Sequence, residues 1–246
     1  MNENPGRTPE EMEEVSPSGG DRGGFWASLI DIFIDPVKVF KRIGAGLPWW
    51  QPYIVIAIAS SAIAYFQQPI NKQIFMLNER GLSEEQLQSQ GEMMDKFGMI
   101  GLIAAPIVIL VIYVILAALC NVTANLVSGK SSFKKMLSLL SFTSFVGLIE
   151  QGLKMLIIHN KGIENITSRD DLFATSFSPN IFINADGLLR AVLESFSIFQ
   201  IWFLILFTIG VSVVYEVDRK TAVVPTVVVW VLGVLMLMLN GLGGGG

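Results

Sequence analysis

The sequence predicts an all-α integral membrane protein, a bundle of about five transmembrane helices preceded by an interfacial amphipathic helix. Its 246 residues are 52% hydrophobic and only 15% charged, against roughly 25% charge in soluble domains. The apolar residues lie in long, nearly uncharged runs separated by short polar segments. A helix crosses the hydrocarbon layer with roughly 20 apolar residues, and the runs approach or exceed that length.

Five apolar stretches of the chain are predicted to span the membrane. They cover residues 52–68, 99–127, 136–158, 188–214 and 222–239. The second and fourth exceed the required length, so we expect them to tilt or to project from the membrane. Pro106 and Pro225 lie inside spans and are expected to kink them.

The segments outside the spans divide the chain further. Residues 1–24 are polar and acidic and are predicted to be a disordered tail, and residues 241–246 are a glycine-rich tail. Residues 25–46 are predicted to form interfacial amphipathic helices, and residues 47–240 the five-span membrane domain.

The interfacial prediction rests on a short amphipathic motif. Asp35 is a suitable N-cap, Pro36 fits the first helical position, and Gly44 can end the helix. Three cations alternate with apolar residues, which favours a helix with its charges toward lipid phosphates. These cations are Lys38, Lys41 and Arg42. The alternative is a cytoplasmic helix packed on the bundle.

Two connecting segments also carry structural signals. Between the first two spans, Ser83 and Gln86 have capping-box spacing, which predicts a short separate helix. Between spans three and four, residues 159–187 mix aromatic and aliphatic residues with polar ones. We expect that segment to fold back onto the bundle.

Lysine and arginine near the span ends predict the orientation. Short basic segments precede span one and join spans two to three and four to five, whereas the opposite loops are longer and mixed in charge. The basic residues of the two short loops are Lys130, Lys134, Lys135, Arg219 and Lys220. The N-terminus is therefore expected in the cytoplasm and the C-terminus outside, at a bacterial cytoplasmic (inner) membrane.

The order of these features resembles the bacterial branch of the Yip family, five-span proteins named for Ypt/Rab-GTPase interaction. The resemblance rests on Asp35, Pro36, Phe40 and Ile43, on Ser-Gly-Lys-Ser-Ser-Phe-Lys at 128–134, and on a fourth span that passes through Gly210. It implies a cytosolic N-terminus and an external C-terminus. Eukaryotic relatives are linked to Rab GTPases and vesicle traffic, but the tail here lacks their D-L-Y-G-P-type motif, so that function is not implied.

Ionisable groups inside spans form a second candidate site, because a charge at mid-membrane costs roughly 2.5–3.5 kcal/mol. Glu150 and Lys154 are four residues apart, which favours a pair on one helix face. Gln151 lies nearby, and Glu194 lies in predicted span four. These residues would form a polar cavity for an ion, a proton or a lipid headgroup. The alternative is a neutralised pair that fixes helix packing near the outer interface.

Catalytic chemistry has few candidates. The single histidine, His159, lies at a span end and is expected to be an interfacial loop residue, and the single cysteine, Cys120, lies in an apolar run. No zinc, phosphate-binding or nucleophile motif is present, so neither a cofactor nor a metal is expected. The net charge of −4 reflects mainly the acidic tail and does not suggest nucleic acid.

Two functions therefore remain open. The first is a non-enzymatic protein that organises lipids, other membrane proteins or copies of itself. Its contact surface would comprise Asp35, Pro36, Lys38, Phe40, Lys41, Arg42, Lys130, Lys134 and Lys135. The second is a small transporter or channel that uses Glu150, Lys154 and Glu194.

Overall fold

A computed structural model describes residues 24–78, 83–130, 132–166, 177–183, 185 and 187–242. Throughout this part of the chain the regular structure is helical, which confirms the all-α prediction. Residues 1–23 of the predicted acidic tail and residues 243–246 lie outside it. The α-helices are α1 Phe25–Ile34, α2 Pro36–Gly44, α3 Trp50–Asn78, α4 Glu84–Ser128, α5 Phe133–Thr143, α6 Phe145–Lys161, α7 Gly187–Glu194, α8 Ile198–Tyr215 and α9 Arg219–Leu242.

Five helical stretches are long and apolar enough to cross a membrane, as predicted. They are Trp50–Phe75, Glu85–Ser128, Phe133–Lys161, Ile198–Tyr215 and Arg219–Met238. Helices α4 and α9 run unbroken through Pro106 and Pro225. Two 3₁₀ turns, Ile163–Asn165 and Pro179–Ile181, lie between the third and fourth spans.

The segment before span two differs from its prediction, because it is continuous with the span. Ser83 and Gln86 do form the predicted capping box, but the helix that they start runs for 45 residues. No residue between them and the span stops it, and glycines inside a helix weaken it without ending it. At 1.5 Å per residue, α4 is about 68 Å long, roughly twice the hydrocarbon thickness.

The projecting part of α4 is paired with the end of α3. Lys72 Nζ lies 2.8 Å from Asp95 Oδ2, and Gly98 lies against the Gln68 side chain. The two antiparallel helices therefore extend together beyond the apolar layer, on the side opposite to the basic turns between α4 and α5 and between α8 and α9.

The fourth span is shorter than predicted. The chain leaves the helix after Glu194 and re-enters it at Ile198, where the Ser197 hydroxyl accepts a hydrogen bond from the Gln200 N–H. The preceding residues form the separate helix α7, which packs on α9. Trp230 Nε1 donates to Ser195 Oγ at 3.2 Å and fixes this break. The prediction extended the span through Arg190 and Glu194 because the residues on either side of them are apolar.

The third span consists of two helices that meet at Ser144. Hydroxyl groups just before the junction bond back to helix carbonyls: Ser141 Oγ donates to Leu137 O, and Ser144 Oγ donates to Leu140 O at 2.7 Å. Such bonds compete with the helical ladder and bend helices. The third span is therefore interrupted near its middle, at Ser144.

Helix α5 lies at the centre of the bundle. Every residue from Met136 to Thr143 is buried, between α2, α3, α4 and α8. Gly210 of α8 permits the closest approach, because a Cβ there would overlap Leu139 Cδ1 and lie 3.0 Å from Phe40 Cε1. The small residue thereby lets α2 lie directly on the bundle.

Candidate functional site

The two basic turns are joined at one end of the bundle. The Lys130 ammonium pairs with the Glu216 carboxylate across the turns. Below this pair, Asn121 Oδ1 accepts hydrogen bonds from the Ser132 N–H at 2.9 Å and from the Tyr215 hydroxyl at 3.3 Å. The side chains of α4 and α8 therefore hold both turns in a fixed relation.

We call this region the basic end and define it by six cations. They are Lys41, Lys130, Lys134, Lys135, Arg219 and Lys220. All are exposed except Lys135, which is half-buried. Arg219 and Lys220 were absent from the predicted contact surface, although the short basic turn that carries them was visible in the sequence.

The two acidic groups at the basic end make local contacts with the protein. Hydrogen bonding and charge from Lys130 lower the pKa of the Glu216 carboxyl, and Lys135 adds to the effect. Hydrogen bonds with Thr221 lower the pKa of Asp218 at the start of α9. Both carboxylates are thus engaged by the protein, and the remaining cations are left facing outward.

The α1–α2 segment presents fewer charges than the sequence suggested. Asp35 caps α2 by accepting from the Lys38 N–H at 3.3 Å, with Pro36 in the first turn, as predicted. The Arg42 guanidinium, however, is turned inward, 2.7 Å from Asp31 Oδ2.

Other members of the predicted contact surface are also engaged by the protein. Lys38 approaches Asp31 at 3.9 Å, and Phe40 is fully buried. Of the three predicted outward cations, Lys41 is the one that is plainly exposed. The inward orientation of Arg42 follows from Asp31 on the neighbouring helix, eleven residues away, a partner that local spacing does not reveal.

The predicted pair inside span three is present. Lys154 Nζ lies 2.9 Å from Glu150 Oε1, and the two side chains are 26% and 17% exposed. Glu194 lies at the end of α7, which packs on α9 and on the turn at Pro179–Ile181. Within the described residues no hydrogen bond or ion pair joins Glu194 to this pair.

Gln151 borders a small cavity instead. The cavity has a volume of about 160 Å³ and lies between α3, α4 and the junction of α5 with α6. Its polar lining comprises Ser60, Tyr113, Ser144 and Gln151. A space of this size and polarity can hold water.

A larger groove lies at the opposite end of the bundle. It measures about 450 Å³ and runs between α3, α4 and α6. Tyr65 and Phe66 line its apolar part, and Lys72, Asp95 and His159 its polar part. His159 is exposed in the last turn of α6.

Among the described residues, no group of three or more His, Cys, Asp or Glu side chains is placed so that it could hold a metal ion. Cys120 is buried.

Five apolar helices of spanning length define a multi-pass α-helical membrane protein. Residues 30–240 match the Yip1 domain, and the chain belongs to that family. It is 26% identical over 221 residues to membrane protein YknW of Bacillus subtilis (strain 168), which covers 87% of this chain and 90% of that protein. No solved structure matches it.

Proposed function

We propose that this Yip-family protein organises lipid or protein partners at a bacterial inner membrane, without catalysing a reaction, and that the basic end is its cytoplasmic contact surface. The observation that carries the proposal is the convergence of two basic turns, tied by Lys130–Glu216 and by Asn121. Short loops rich in Lys and Arg favour the cytoplasmic side. The N-terminus is then cytoplasmic and the C-terminus external.

The charge of the basic end suits anionic headgroups. Each Lys or Arg near a negative membrane surface contributes about 1 kcal/mol. Four of the six cations, Lys41, Lys134, Arg219 and Lys220, are exposed and have no ion pair within the described part of the chain. Together they would enrich anionic lipid around this end of the bundle.

The test compares lipid selectivity in reconstituted bilayers. Spin-labelled phosphatidylglycerol and phosphatidylcholine report the fraction of each lipid held at the protein surface. We expect wild type to favour phosphatidylglycerol, and a variant with glutamine at Lys41, Lys134, Arg219 and Lys220 to lose most of that preference.

The control removes two cations at the opposite end, by Lys96→Gln and Lys161→Gln, and is matched in charge by the double variant Lys134→Gln, Lys220→Gln at the basic end. Acidic residues such as Glu92 and Glu164 lie close in sequence to Lys96 and Lys161, so the preference should change little in the control. If the fourfold variant keeps the wild-type preference, the basic end is not a lipid contact surface.

A second candidate function is a small transporter or channel. The polar cavity at the articulated third span favours it, because broken helices beside a cavity at mid-membrane recur in transporters. Gln151 borders that cavity and Glu150–Lys154 lies next to it in sequence. Glu194 would not take part in a direct contact with this pair, because α7 packs on α9.

Flux into proteoliposomes tests this second candidate. Uptake or current that depends on the protein and falls in a Glu150→Gln variant would support it. A Glu92→Gln variant is the control, because Glu92 lies on the projecting part of α4. If the wild-type protein shows no flux of monovalent cations, protons or anions, this second candidate is rejected and the organising function remains.

A further inference from the structure

The groove between α3, α4 and α6 lies where apolar runs on all three helices end. In α3, Lys72 is the first charged residue after a long uncharged run, and in α4 a similar run is preceded by Asp95 and Lys96. In α6, four apolar residues lead to His159. Lys72, Asp95 and His159 all line the groove. Three helices therefore change from apolar to polar at this groove, as spanning helices do where hydrocarbon gives way to headgroups.

One part of the groove is an apolar wall that is open at the surface. Tyr65 and Phe66 are 58% and 60% exposed, and Met155 and Ile158 of α6 lie across from them. Both aromatic residues precede Lys72 by about two helical turns, within the uncharged run of α3. The groove measures about 450 Å³, within the roughly 300–1,000 Å³ that is usual for ligand pockets. It can hold a ligand that is apolar at one end and polar at the other.

The polar part of the groove presents one charge of each sign. Lys72 Nζ lies 2.8 Å from Asp95 Oδ2, and the two side chains are 38% and 61% exposed. An exposed ion pair of this kind contributes little to stability, so a ligand can replace the contact without a large penalty. The pair therefore complements a ligand that carries a negative and a positive charge close together.

Two further polar side chains line this part of the groove. Gln68 is half-buried against Gly98 of α4, and His159 is exposed at the end of α6. Within the described part of the chain, neither side chain has a hydrogen bond or an ion pair. The amide of glutamine and the ring of histidine both carry N–H donors. With Lys72, they supply three donor groups for a single anionic group of a ligand.

We propose that this groove binds a phospholipid whose headgroup joins a phosphate to a primary ammonium, as in phosphatidylethanolamine. The phosphate accepts hydrogen bonds from Lys72, Gln68 and His159. The ammonium donates to Asp95, and the acyl chains leave along the apolar wall. Phosphatidylglycerol lacks the ammonium and brings its negative charge beside Asp95, whereas the quaternary ammonium of phosphatidylcholine has no N–H to donate. The site lies opposite to the basic end and does not depend on its proposed role.

The experiment measures which lipid occupies the groove in bilayers. In a Cys120→Ala background, a bimane fluorophore is attached at Asn71→Cys, which is exposed next to Lys72 and does not line the groove. Phosphatidylethanolamine, phosphatidylcholine and phosphatidylglycerol carry the same nitroxide near the glycerol end of one acyl chain and quench the fluorophore at short range. A bimane at Ile107→Cys, on the exposed face of α4, reports lipids in general contact with the protein.

We expect phosphatidylethanolamine to be favoured over phosphatidylcholine by about fivefold at Asn71→Cys, the contribution of one hydrogen bond. No such preference is expected at Ile107→Cys. Equal quenching by the three lipids at Asn71→Cys would overturn the proposal. The same preference at both positions would overturn it as well, because the selectivity would then not belong to the groove.

Two charge variants distinguish a headgroup site from a structural ion pair. Asp95→Asn should reverse the order of phosphatidylethanolamine and phosphatidylglycerol, because the ammonium loses its acceptor and the repulsion of the anionic lipid is removed. Lys72→Gln should weaken the binding of both. The matched controls Glu92→Gln and Lys96→Gln change one charge each outside the groove lining and should keep the wild-type order. An order that survives Asp95→Asn, or that Glu92→Gln reverses equally, would overturn the proposal.

A soluble headgroup separates a lipid from a free phosphate ester. Excess glycerophosphoethanolamine should leave the quenching at Asn71→Cys in place, because it cannot use the apolar wall. Complete relief of quenching would overturn the assignment to a lipid. The fourfold variant of the basic end should keep the preference at the groove, so the two lipid contacts can be tested separately.

Discussion

Replacing Gly210 with alanine tests how closely α2 and α5 pack on α8. The new Cβ would overlap Leu139 Cδ1 and lie 3.0 Å from Phe40 Cε1, where ordinary carbon contacts are about 3.5–4.0 Å. Leu139 and Phe40 are fully buried, so neither can move aside freely. Overpacking of this kind costs about 1–3 kcal/mol.

The matched control is Gly152→Ala, in α6. A Cβ at Gly152 meets no heavy atom within 4 Å, and alanine is favoured over glycine within a helix by about 1 kcal/mol. Both substitutions gain this propensity, so the difference between the two variants isolates the clash. For a chain of this size, 1 kcal/mol shifts the thermal midpoint by about 2–4 °C.

The assay is thermal unfolding in mild detergent, followed by circular dichroism. Gly210→Ala should unfold several degrees below Gly152→Ala. Adding Leu139→Ala should relieve part of the clash, so the double variant should be more stable than the sum of the single effects. Equal midpoints for the two glycine variants would refute the close packing of α2 and α5 on α8, and strict additivity with Leu139→Ala would refute the contact of α5 with Gly210.

Three further predictions concern polar contacts. Asn121→Ala should lower stability by about 1–3 kcal/mol, because it leaves the Ser132 N–H without its acceptor, whereas Asn121→Asp keeps an acceptor oxygen; equal thermal midpoints would contradict this. Arg42→Gln should raise hydrogen exchange in residues 25–44, and adding Asp31→Asn should reverse part of the rise; unchanged exchange would show that the pair does not hold α1 against α2. Glu150→Gln should lower the thermal midpoint more than the double change with Lys154→Met, since the single change strands a charge; a less stable double variant would contradict the argument.

Composition alone was enough to locate the spans, because a membrane helix must bury about 20 apolar residues in lipid. Their boundaries needed other information. Helix α4 starts at the predicted cap and continues because nothing between Gln86 and the span ends it. The break before Ile198 follows Glu194 and Ser195, and Ser197 and Gln200 have capping spacing that could have revealed it.

The contacts at the candidate sites could likewise be predicted from the sequence only in part. Glu150 and Lys154 could be paired from sequence, because four residues on a helix bring two side chains together. Asp31 and Arg42 lie on different helices, so their contact depends on the bend at Asp35. Whether a cation faces lipid or protein is decided by such non-local partners, which one sequence does not display.

The central claim is that an odd number of spans separates the two ends of the chain. Green fluorescent protein and alkaline phosphatase, fused in turn before residue 25 and after residue 242, test it directly, because the first fluoresces in the cytoplasm and the second is active outside. We predict fluorescence from the N-terminal fusion and phosphatase activity from the C-terminal one. The same reporter active at both ends would contradict five spans.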